Sequence, residues 1–369
     1  MNIRPFQALY PKTDLLTSPE NYFAVVKEEF HDFLAGGFFR RTAQDGFFIY
    51  RIVAPHRSYL GLIGCADIEE YLQGNIKRHE NTLPDKEQEQ IRLLLRRRAQ
   101  VKPIMLAFRN VASIDALLKQ GTEESEPFLE VEENQTGILH QLWQVTDGQR
   151  IGEFQDLFAR QVPCSYIADG HHRTSIMALL YERNRRKRNG QDFQNLLCAF
   201  FPTSELEILE FNRVVEGLID MTPARFTAHL SRLFHIEPLD GPAPPTRKHQ
   251  LTLLLDNEWY RLSWKDEVLE SRRSQGILLD ASLLNELVLG EILGIEDVRT
   301  DLRVKYVEGA LGLEGLRAKT LKSERRVAFW LYPVSMEDFL SIADAGEVLP
   351  PKSTWFEPRL RNGLLMKEI

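Results

Sequence analysis

The chain has few of the features that mark secreted, membrane-spanning or metal-rich proteins. It contains three cysteines in 369 residues, Cys65, Cys164 and Cys198, and their wide separation gives neither a disulfide framework nor metal-ligand spacing. No apolar run approaches the ~20 residues that a membrane-spanning helix needs, and the first residues lack the apolar stretch of a signal peptide. We therefore expect a soluble, cytoplasmic protein with reduced thiols and no membrane partner.

An excess of positive charge is lacking as well. The 46 lysines and arginines are outnumbered by 53 aspartates and glutamates, which gives a formal net charge of −7. Proteins that coat nucleic acid need a basic field, so nucleic acid is not expected as a partner, although a local basic pocket is compatible with this balance. The common motifs of metalloproteases, serine hydrolases and dinucleotide-binding proteins do not occur either.

One polar segment in the middle of the chain is the most informative pattern. Residues 162–167 are predicted to form a strand, and residues 176–188 a helix rich in leucine, alanine, glutamate and arginine. The Asp-Gly-His-His-Arg segment between them, residues 169–173, falls where a helix begins. Backbone amides lack intrahelical acceptors there and the helix dipole is positive, so this position is suited to binding an anion.

The individual residues of this segment support the same interpretation. Arg173 offers a planar fork that matches phosphate or carboxylate oxygens, Asp169 is a suitable N-cap, and Gly170 lets a ligand approach the backbone. A structural turn and cap, with Arg173 paired to a nearby acid, is the alternative. Two histidines and an arginine crowded at the positive end of a helix favour a binding site. The phosphate- or nucleotide-binding residues expected here are Asp169, Gly170, His171, His172, Arg173 and Thr174.

A second polar patch covers residues 74–82, in a predicted loop between two helices. Lys77, Arg78, His79 and Glu80 bring together two cations, a titratable ring and a carboxylate. Such a set can bind a phosphate and accept a proton from a hydroxyl group. A solvated loop with local ion pairs is the alternative.

A third patch, residues 350–359, places one cation and two hydroxyls, Lys352, Ser353 and Thr354, after two prolines. It is not a P-loop, because the glycines that precede the lysine in that motif are missing. A docked carboxy-terminal tail is the alternative.

The order of the predicted elements indicates the fold class. Apolar patterns predict helices over residues 20–34 and 281–289, a strand over 101–108, and two hairpins, one from strands 47–53 and 59–65 and one from strands 250–255 and 259–264. Strands and helices follow one another without a regular strand–helix period, which favours an α+β fold over a Rossmann fold. The composition changes at the proline-rich residues 240–246. We predict a core over residues 1–224 that carries the Asp-Gly-His-His-Arg motif, an inserted or appended α+β subdomain over 225–272, and a segment over 273–369 that packs back on the core.

The three motifs together, residues 76–82, 167–173 and 350–358, resemble the bacterial domain-of-unknown-function family 1015 in order and spacing. Through its Asp-Gly-His-x-Arg segment that family is similar to the ParB–sulfiredoxin superfamily, which includes nucleotide-dependent free serine kinases. The resemblance implies a ParB/sulfiredoxin-like mixed core and nucleotide phosphates at the start of the helix that contains Arg173. It also implies a catalytic glutamate, which we place at Glu80. The second histidine, His172, departs from the pattern by occupying its variable position.

The resulting hypothesis is that the protein is a nucleotide-dependent phosphotransferase that acts on a small hydroxyl amino acid, with serine as the first candidate. Such transfer depends on charge neutralisation and positioning. Glu80 and His79 are the expected catalytic residues, and Mg²⁺ with ATP or ADP is the expected cofactor. The expected supporting residues are Lys77, Arg78, Lys352, Ser353 and Thr354. A non-catalytic nucleotide-binding or ParB-like DNA-partitioning module and a hydrolase are the alternatives.

Overall fold

A computed structural model describes residues 1–80, 84–185, 192–216, 218, 221–320 and 326–369. Residues 1–207 and 358–369 form one unit, and residues 208–357 form a second. The predicted α+β class is confirmed, because both units combine helices with sheets. The division differs from the predicted boundaries at 224 and 272. Residues 225–272 are one part of a larger unit, and of the last segment 358–369 alone belongs to the first unit.

The strands are β1 Ile3–Arg4, β2 Leu9–Pro11, β3 Phe39–Arg41, β4 Phe47–Ala54, β5 Arg57–Asp67, β6 Ile76–Lys77, β7 Ala99–Gln100, β8 Ile104–Phe108, β9 Leu129–Glu132, β10 Leu139–Val145, β11 Ser165–Asp169, β12 Asn195–Pro202, β13 Glu207–Leu209, β14 Phe211–Glu216, β15 Phe234–Leu239, β16 Gln250–Leu255, β17 Glu258–Trp264, β18 Val304–Glu308, β19 Arg326–Leu331, β20 Trp355–Glu357 and β21 Lys367–Glu368. The α-helices are α1 Pro19–Val25, α2 Phe30–Ala35, α3 Ile68–Leu72, α4 Pro84–Arg97, α5 Ala112–Glu123, α6 Gly148–Gln161, α7 His171–Asn184, α8 Pro223–Leu230, α9 Asp266–Ser271, α10 Asp280–Leu283, α11 Gly312–Thr320 and α12 Met336–Asp344.

A mixed nine-stranded sheet forms the centre of the first unit, in the order β6-β11-β8-β12-β5-β4-β10-β9, with β1 also paired to β5. The β4–β5 hairpin matches the prediction, and its ladder runs from Phe48↔Ile63 to Ala54↔Arg57. Residues 196–202 of β12 are all buried. This continuous apolar run fits a strand whose two faces are both covered.

The β11 strand positions the Asp-Gly-His-His-Arg segment. It pairs in parallel with β6, with Tyr166 opposite Lys77, and antiparallel with β8, with Asp169 opposite Met105. The residues that follow β6 and those that precede β8 therefore meet at the carboxyl end of β11. The strand begins at Ser165 rather than at the predicted residue 162, because Pro163 has no N–H for a ladder.

The second unit contains a six-stranded sheet in the order β15-β17-β16-β19-β14-β18. Its β16–β17 hairpin was predicted, and Asp256 and Asn257 turn it with φ of +52° and +63°. Positive φ at both central residues is the geometry that matches the twist of the flanking strands. β14 pairs with β18 and β19, which come much later in the chain, so the unit extends far beyond the predicted subdomain.

No helix among the described residues is long and apolar enough to cross a membrane. The predicted helix over residues 20–34 is two helices, α1 and α2. The predicted helix at residues 281–289 starts as the short α10 and continues as a π-helix, Leu284–Gly290.

Candidate active site at the start of a helix

Gly170 makes the junction between β11 and α7. Its φ of +112° is a conformation that residues with a Cβ rarely adopt. A Cβ added there would lie 2.7 Å from Cδ1 of Ile104 and 3.0 Å from Nη2 of Arg173. The helix begins at the next residue, His171. The motif therefore forms the first turn of α7, which starts earlier than the predicted residue 176.

Asp169 does not cap this helix, contrary to the expectation. Gly170 occupies the N-cap position, and no side chain accepts a hydrogen bond from the first turn there. One oxygen of Asp169, Oδ2, instead accepts hydrogen bonds from Nζ of Lys102 at 2.9 Å and from Nη2 of Arg173 at 3.0 Å. Because the helix starts two residues later, Asp169 lies outside the capping position.

Arg173 is also committed to the protein. Its Nη1 donates to the backbone carbonyls of Lys102 and Pro103, at 2.9 and 3.1 Å. With Nη2 bound to Asp169, the guanidinium joins α7 to the segment before β8. These three hydrogen bonds give Arg173 a positioning role, and the phosphate-binding role expected for it stays a prediction.

Three cations act on the single carboxylate of Asp169. Burial raises the pKa of Asp169, but the charges of Arg173, Lys102 and Arg359 outweigh it and hold the pKa well below its usual range. Burial also lowers the pKa of Lys102 to about 8, although Asp169 opposes this shift. The cluster carries an excess of positive charge next to the positive end of α7, and both attract an anion.

Lys102 and Arg359 are members of this site that sequence analysis missed. Lys102 lay inside a segment predicted to be strand, where a side chain's partner cannot be inferred from local pattern. Arg359 was in the third polar patch but was not singled out. The signal that could have indicated Lys102 is the proline that follows it. A proline at the start of a strand leaves the preceding residue outside the ladder.

The parallel pairing of β6 and β11 brings the second polar patch to the same place. The rings of His79 and His171 meet edge to face, with centroids 4.4 Å apart. The backbone N–H of His79 donates to Nε2 of His171 at 3.4 Å. This bond requires Nε2 to be unprotonated, so the proton of neutral His171 is on Nδ1. That atom lies 3.8 Å from Oε2 of Glu80.

Both imidazoles are neutral at neutral pH. Burial lowers the pKa of His171 to about 4; the positive charges of His172, Arg78 and Arg173 add to the effect, and Asp169 opposes it. Burial and the neighbouring His171 hold the pKa of His79 well below its usual value. His79 is 4% exposed and packs against the ring of His171, and the catalytic role expected for it stays a prediction.

Of the other expected site residues, Thr174 is buried and the rest are at least partly accessible to solvent. Glu80 is accessible, with a side chain 46% exposed, and Arg78 is exposed beside it. His172 is half-buried in the first turn of α7. Thr174 is buried and donates from Oγ1 to the carbonyl of Gly170 at 3.1 Å, which replaces the expected phosphate contact with a contact inside the helix. Nζ of Lys77 lies 5.9 Å from the ring centroid of Tyr166.

The third patch belongs to the second unit, apart from residues 358 and 359. Nζ of Lys352 lies 5.1 Å from the ring centroid of Phe211, and Oγ of Ser353 donates to the carbonyl of Pro350 at 2.7 Å. The supporting role expected for Lys352, Ser353 and Thr354 stays a prediction. Thr82 of the second motif lies outside the described residues.

The donor set does not fit a divalent cation held by the protein. Among the described residues, no cluster of three histidine, cysteine, aspartate or glutamate side chains is placed to hold a metal ion. Asp169 is surrounded by cations, which would repel Mg²⁺. Mg²⁺ can reach such a site as part of a nucleotide complex, since it is commonly held by substrate phosphates.

Comparisons with known proteins give one family and several solved structures. A family model described as "Protein of unknown function (DUF1015)" matches residues 7–284. No curated protein matches the chain significantly. SbnI with a carboxy-terminal truncation, from Staphylococcus aureus, is 13% identical; the alignment covers 81% of this chain and 85% of that one, with a TM-score of 0.42. A free serine kinase in complex with AMP is 13% identical, with coverage of 82% and 91% and a TM-score of 0.39.

Proposed function

The chain belongs to the family of proteins of unknown function DUF1015, and from this premise we propose that it is a nucleotide-dependent phosphotransferase with a small hydroxyl amino acid as acceptor. One observation carries the proposal. The accessible carboxylate of Glu80 lies 3.8 Å from a neutral histidine, His171, at the amino-terminal end of α7. A carboxylate that can take a hydroxyl proton thus lies next to a place suited to phosphate oxygens.

The first turn of α7 supplies the phosphate-binding groups. The first turn of an α-helix directs its backbone amides toward the amino-terminal side, and in α7 this turn begins at His171. Lys102, Arg173 and Arg359 surround Asp169 and add positive charge. Phosphoryl transfer depends mainly on positioning and on neutralising charge in the transition state, so this arrangement suits it.

Glu80 is the proposed general base. Because His171 is neutral, it does not neutralise the Glu80 carboxylate, which therefore remains able to accept a proton from the attacking hydroxyl. The Nδ1 atom of His171 lies 3.8 Å from Oε2 of Glu80 and places a neutral ring beside the carboxylate. His79 holds the His171 ring through its backbone N–H and is a positioning residue. Arg78 is the accessible cation closest in sequence to Glu80 and is proposed to bind the transferred phosphoryl group.

Asp169 and Arg173 have a positioning role in this mechanism. They join the end of β11 and the first turn of α7 to the Lys102-Pro103 segment. This fixes the direction of the α7 amides before a ligand binds, which lowers the cost of organising the site. The similarity of the Asp-Gly-His-His-Arg segment to free serine kinases supports serine as the first acceptor to test.

A nucleotide screen followed by a turnover assay tests the proposal. Thermal unfolding is measured with ATP, ADP and CTP, each with Mg²⁺, and the nucleotide that stabilises is then incubated with free L-serine and L-threonine. We expect a phosphorylated amino acid by ³¹P NMR. Release of inorganic phosphate without an amino acid would instead show a hydrolase, and nucleotide binding without any reaction would show a non-catalytic module. Salt-sensitive DNA binding would indicate a partitioning module.

A further inference from the structure

The second unit contains a buried cation without an acidic partner among the described residues. Arg213, in the middle of β14, is 0% exposed. Its Nη1 donates to the backbone carbonyl of Phe211. Its Nε and Nη2 are buried and have no hydrogen-bond partner. A buried guanidinium in this state is costly, since protein interiors normally supply each such donor with an acceptor.

The two atoms without hydrogen-bond partners, Nε and Nη2, lie on the same edge of the guanidinium group. Nε and Nη2 form the side-on fork that engages both oxygens of one carboxylate. The ring of Tyr306 covers a face of the group, with its centroid 5.1 Å from Cζ. Burial lowers the pKa of Arg213 to about 10, so the group is still charged at neutral pH. One edge of a permanent cation is thus left for an anion.

A second cation, Lys352, packs on the same face of β14 as Arg213. Lys352 is exposed, and its Nζ lies 5.1 Å from the ring centroid of Phe211. Phe211 precedes Arg213 by two residues on β14, so both side chains lie on the same face of the strand. The nearest carboxylate by register is Glu308, opposite Phe211. In the part of the chain that the structure describes, no ion pair connects Glu308 to either cation.

We propose that the Nε–Nη2 edge of Arg213 binds a small monocarboxylate, with Lys352 as the second cation of the site. Phe329 lies opposite Arg213 in the β14–β19 ladder and is fully buried, so the surroundings of the fork are apolar. An apolar environment disfavours a doubly charged phosphate more than a singly charged carboxylate. The ligand class is therefore a short carboxylic acid with an apolar tail. Arg213 has no role in the mechanism proposed above.

Thermal unfolding at constant ionic strength tests the site, with propionate, acetate, phosphate and chloride as probes. We expect a saturable rise in Tm of about 2 °C or more with propionate, and a smaller rise with phosphate. Arg213→Met and Arg213→Lys should both lose this rise, because neither side chain offers the fork. Lys352→Gln should raise the propionate concentration at half-maximal shift severalfold. Lys305→Gln, an exposed cation on β18, is the matched control and should behave as the wild type.

A second measurement does not depend on the stability of any variant. The Nε–Hε resonance of Arg213 in the wild-type protein should shift on titration with propionate and stay unchanged with chloride. An unmoved resonance would overturn the proposal, as would an equal rise in Tm in Arg213→Lys. Equal responses to phosphate and propionate would overturn the assignment of the carboxylate class.

Discussion

The backbone N–H of His79 donates a hydrogen bond to Nε2 of His171, from a loop that follows β6 to the first residue of α7. This bond assigns the tautomer of His171 and directs its Nδ1–H toward Glu80. The two polar patches of the sequence are therefore in contact. The proposed chemistry depends on this contact between segments that are far apart in the chain.

Glu80→Gln is expected to abolish phosphoryl transfer while nucleotide affinity stays within severalfold of the wild-type value. The amide keeps the size of the side chain but cannot accept the hydroxyl proton. Steady-state turnover and isothermal titration with the nucleotide separate the two effects. Glu89→Gln, an exposed position on α4, is the control. Wild-type turnover in Glu80→Gln would show that Glu80 is not the base.

Arg173→Gln is expected to destabilise the protein by about 2–4 kcal/mol. The substitution removes the charged donor of the Lys102 and Pro103 carbonyls and leaves the carboxylate of Asp169 with Lys102 as its remaining hydrogen-bond donor. Urea unfolding measures the change. Arg183→Gln, on an exposed position of the same helix, should change the free energy of unfolding by less than about 0.5 kcal/mol. Similar effects for the two variants would contradict the positioning role.

Gly170→Ala is expected to cost more stability than Gly74→Ala. Both glycines have positive φ, +112° and +83°, so both substitutions strain the backbone by about 1–3 kcal/mol. A Cβ at Gly170 additionally meets Ile104 and Arg173, whereas at Gly74 no atom lies within 4 Å. Gly170→Ala should also weaken nucleotide binding, because it displaces the first turn of α7. Equal free energies of unfolding for the two variants would indicate that the junction between β11 and α7 accommodates the added Cβ.

The free energy of unfolding should fall as the pH decreases from about 6.5 to about 4. The pKa of His171 is lowered to about 4 in the folded protein, so in this window the unfolded chain binds the proton more readily. A shift of this size corresponds to at most about 3 kcal/mol. Asp169 behaves differently. Its lowered pKa gives stability that is present above the unfolded value near 4 and lost below it.

Urea unfolding at pH 7, 5.5 and 4.5 checks this dependence. His171→Gln should flatten the decline, because it removes a group whose proton affinity changes on folding. His235→Gln, on an exposed position of β15, should leave the slope unchanged. A decline of the same slope in His171→Gln would assign the effect to other groups.

Local patterns were sufficient to predict the elements that carry the site. The apolar run before Asp169 and the helix formers after Arg173 predicted a strand followed by a helix, and β11 and α7 are there. The two hairpins, β4–β5 and β16–β17, follow from alternation and turn residues close in sequence. In each case the decisive interaction joins residues near one another in the chain.

The contacts that define the site were less predictable, because they join distant segments. The hydrogen bonds from Arg173 to the carbonyls of Lys102 and Pro103 were not predicted, because the pairing of β8 with β11 brings these distant segments together. Asp169 was expected to cap the helix, but the helix starts at His171 and Gly170 therefore occupies the N-cap position. The resemblance of the motifs to a family selected the candidate residues, but it did not show which of them contact one another.

The first unit is discontinuous in the chain, and this affects how the protein can be made. Residues 358–369 supply Arg361, which hydrogen bonds to the buried Glu133, and β21, which pairs with β7. During synthesis on a ribosome, these partners emerge only after the whole second unit has been translated. Until then Glu133 has only its partners nearby in the chain, Thr136 and His140, and lacks the charge of Arg361. A fragment that stops at residue 207 would lack that arginine permanently.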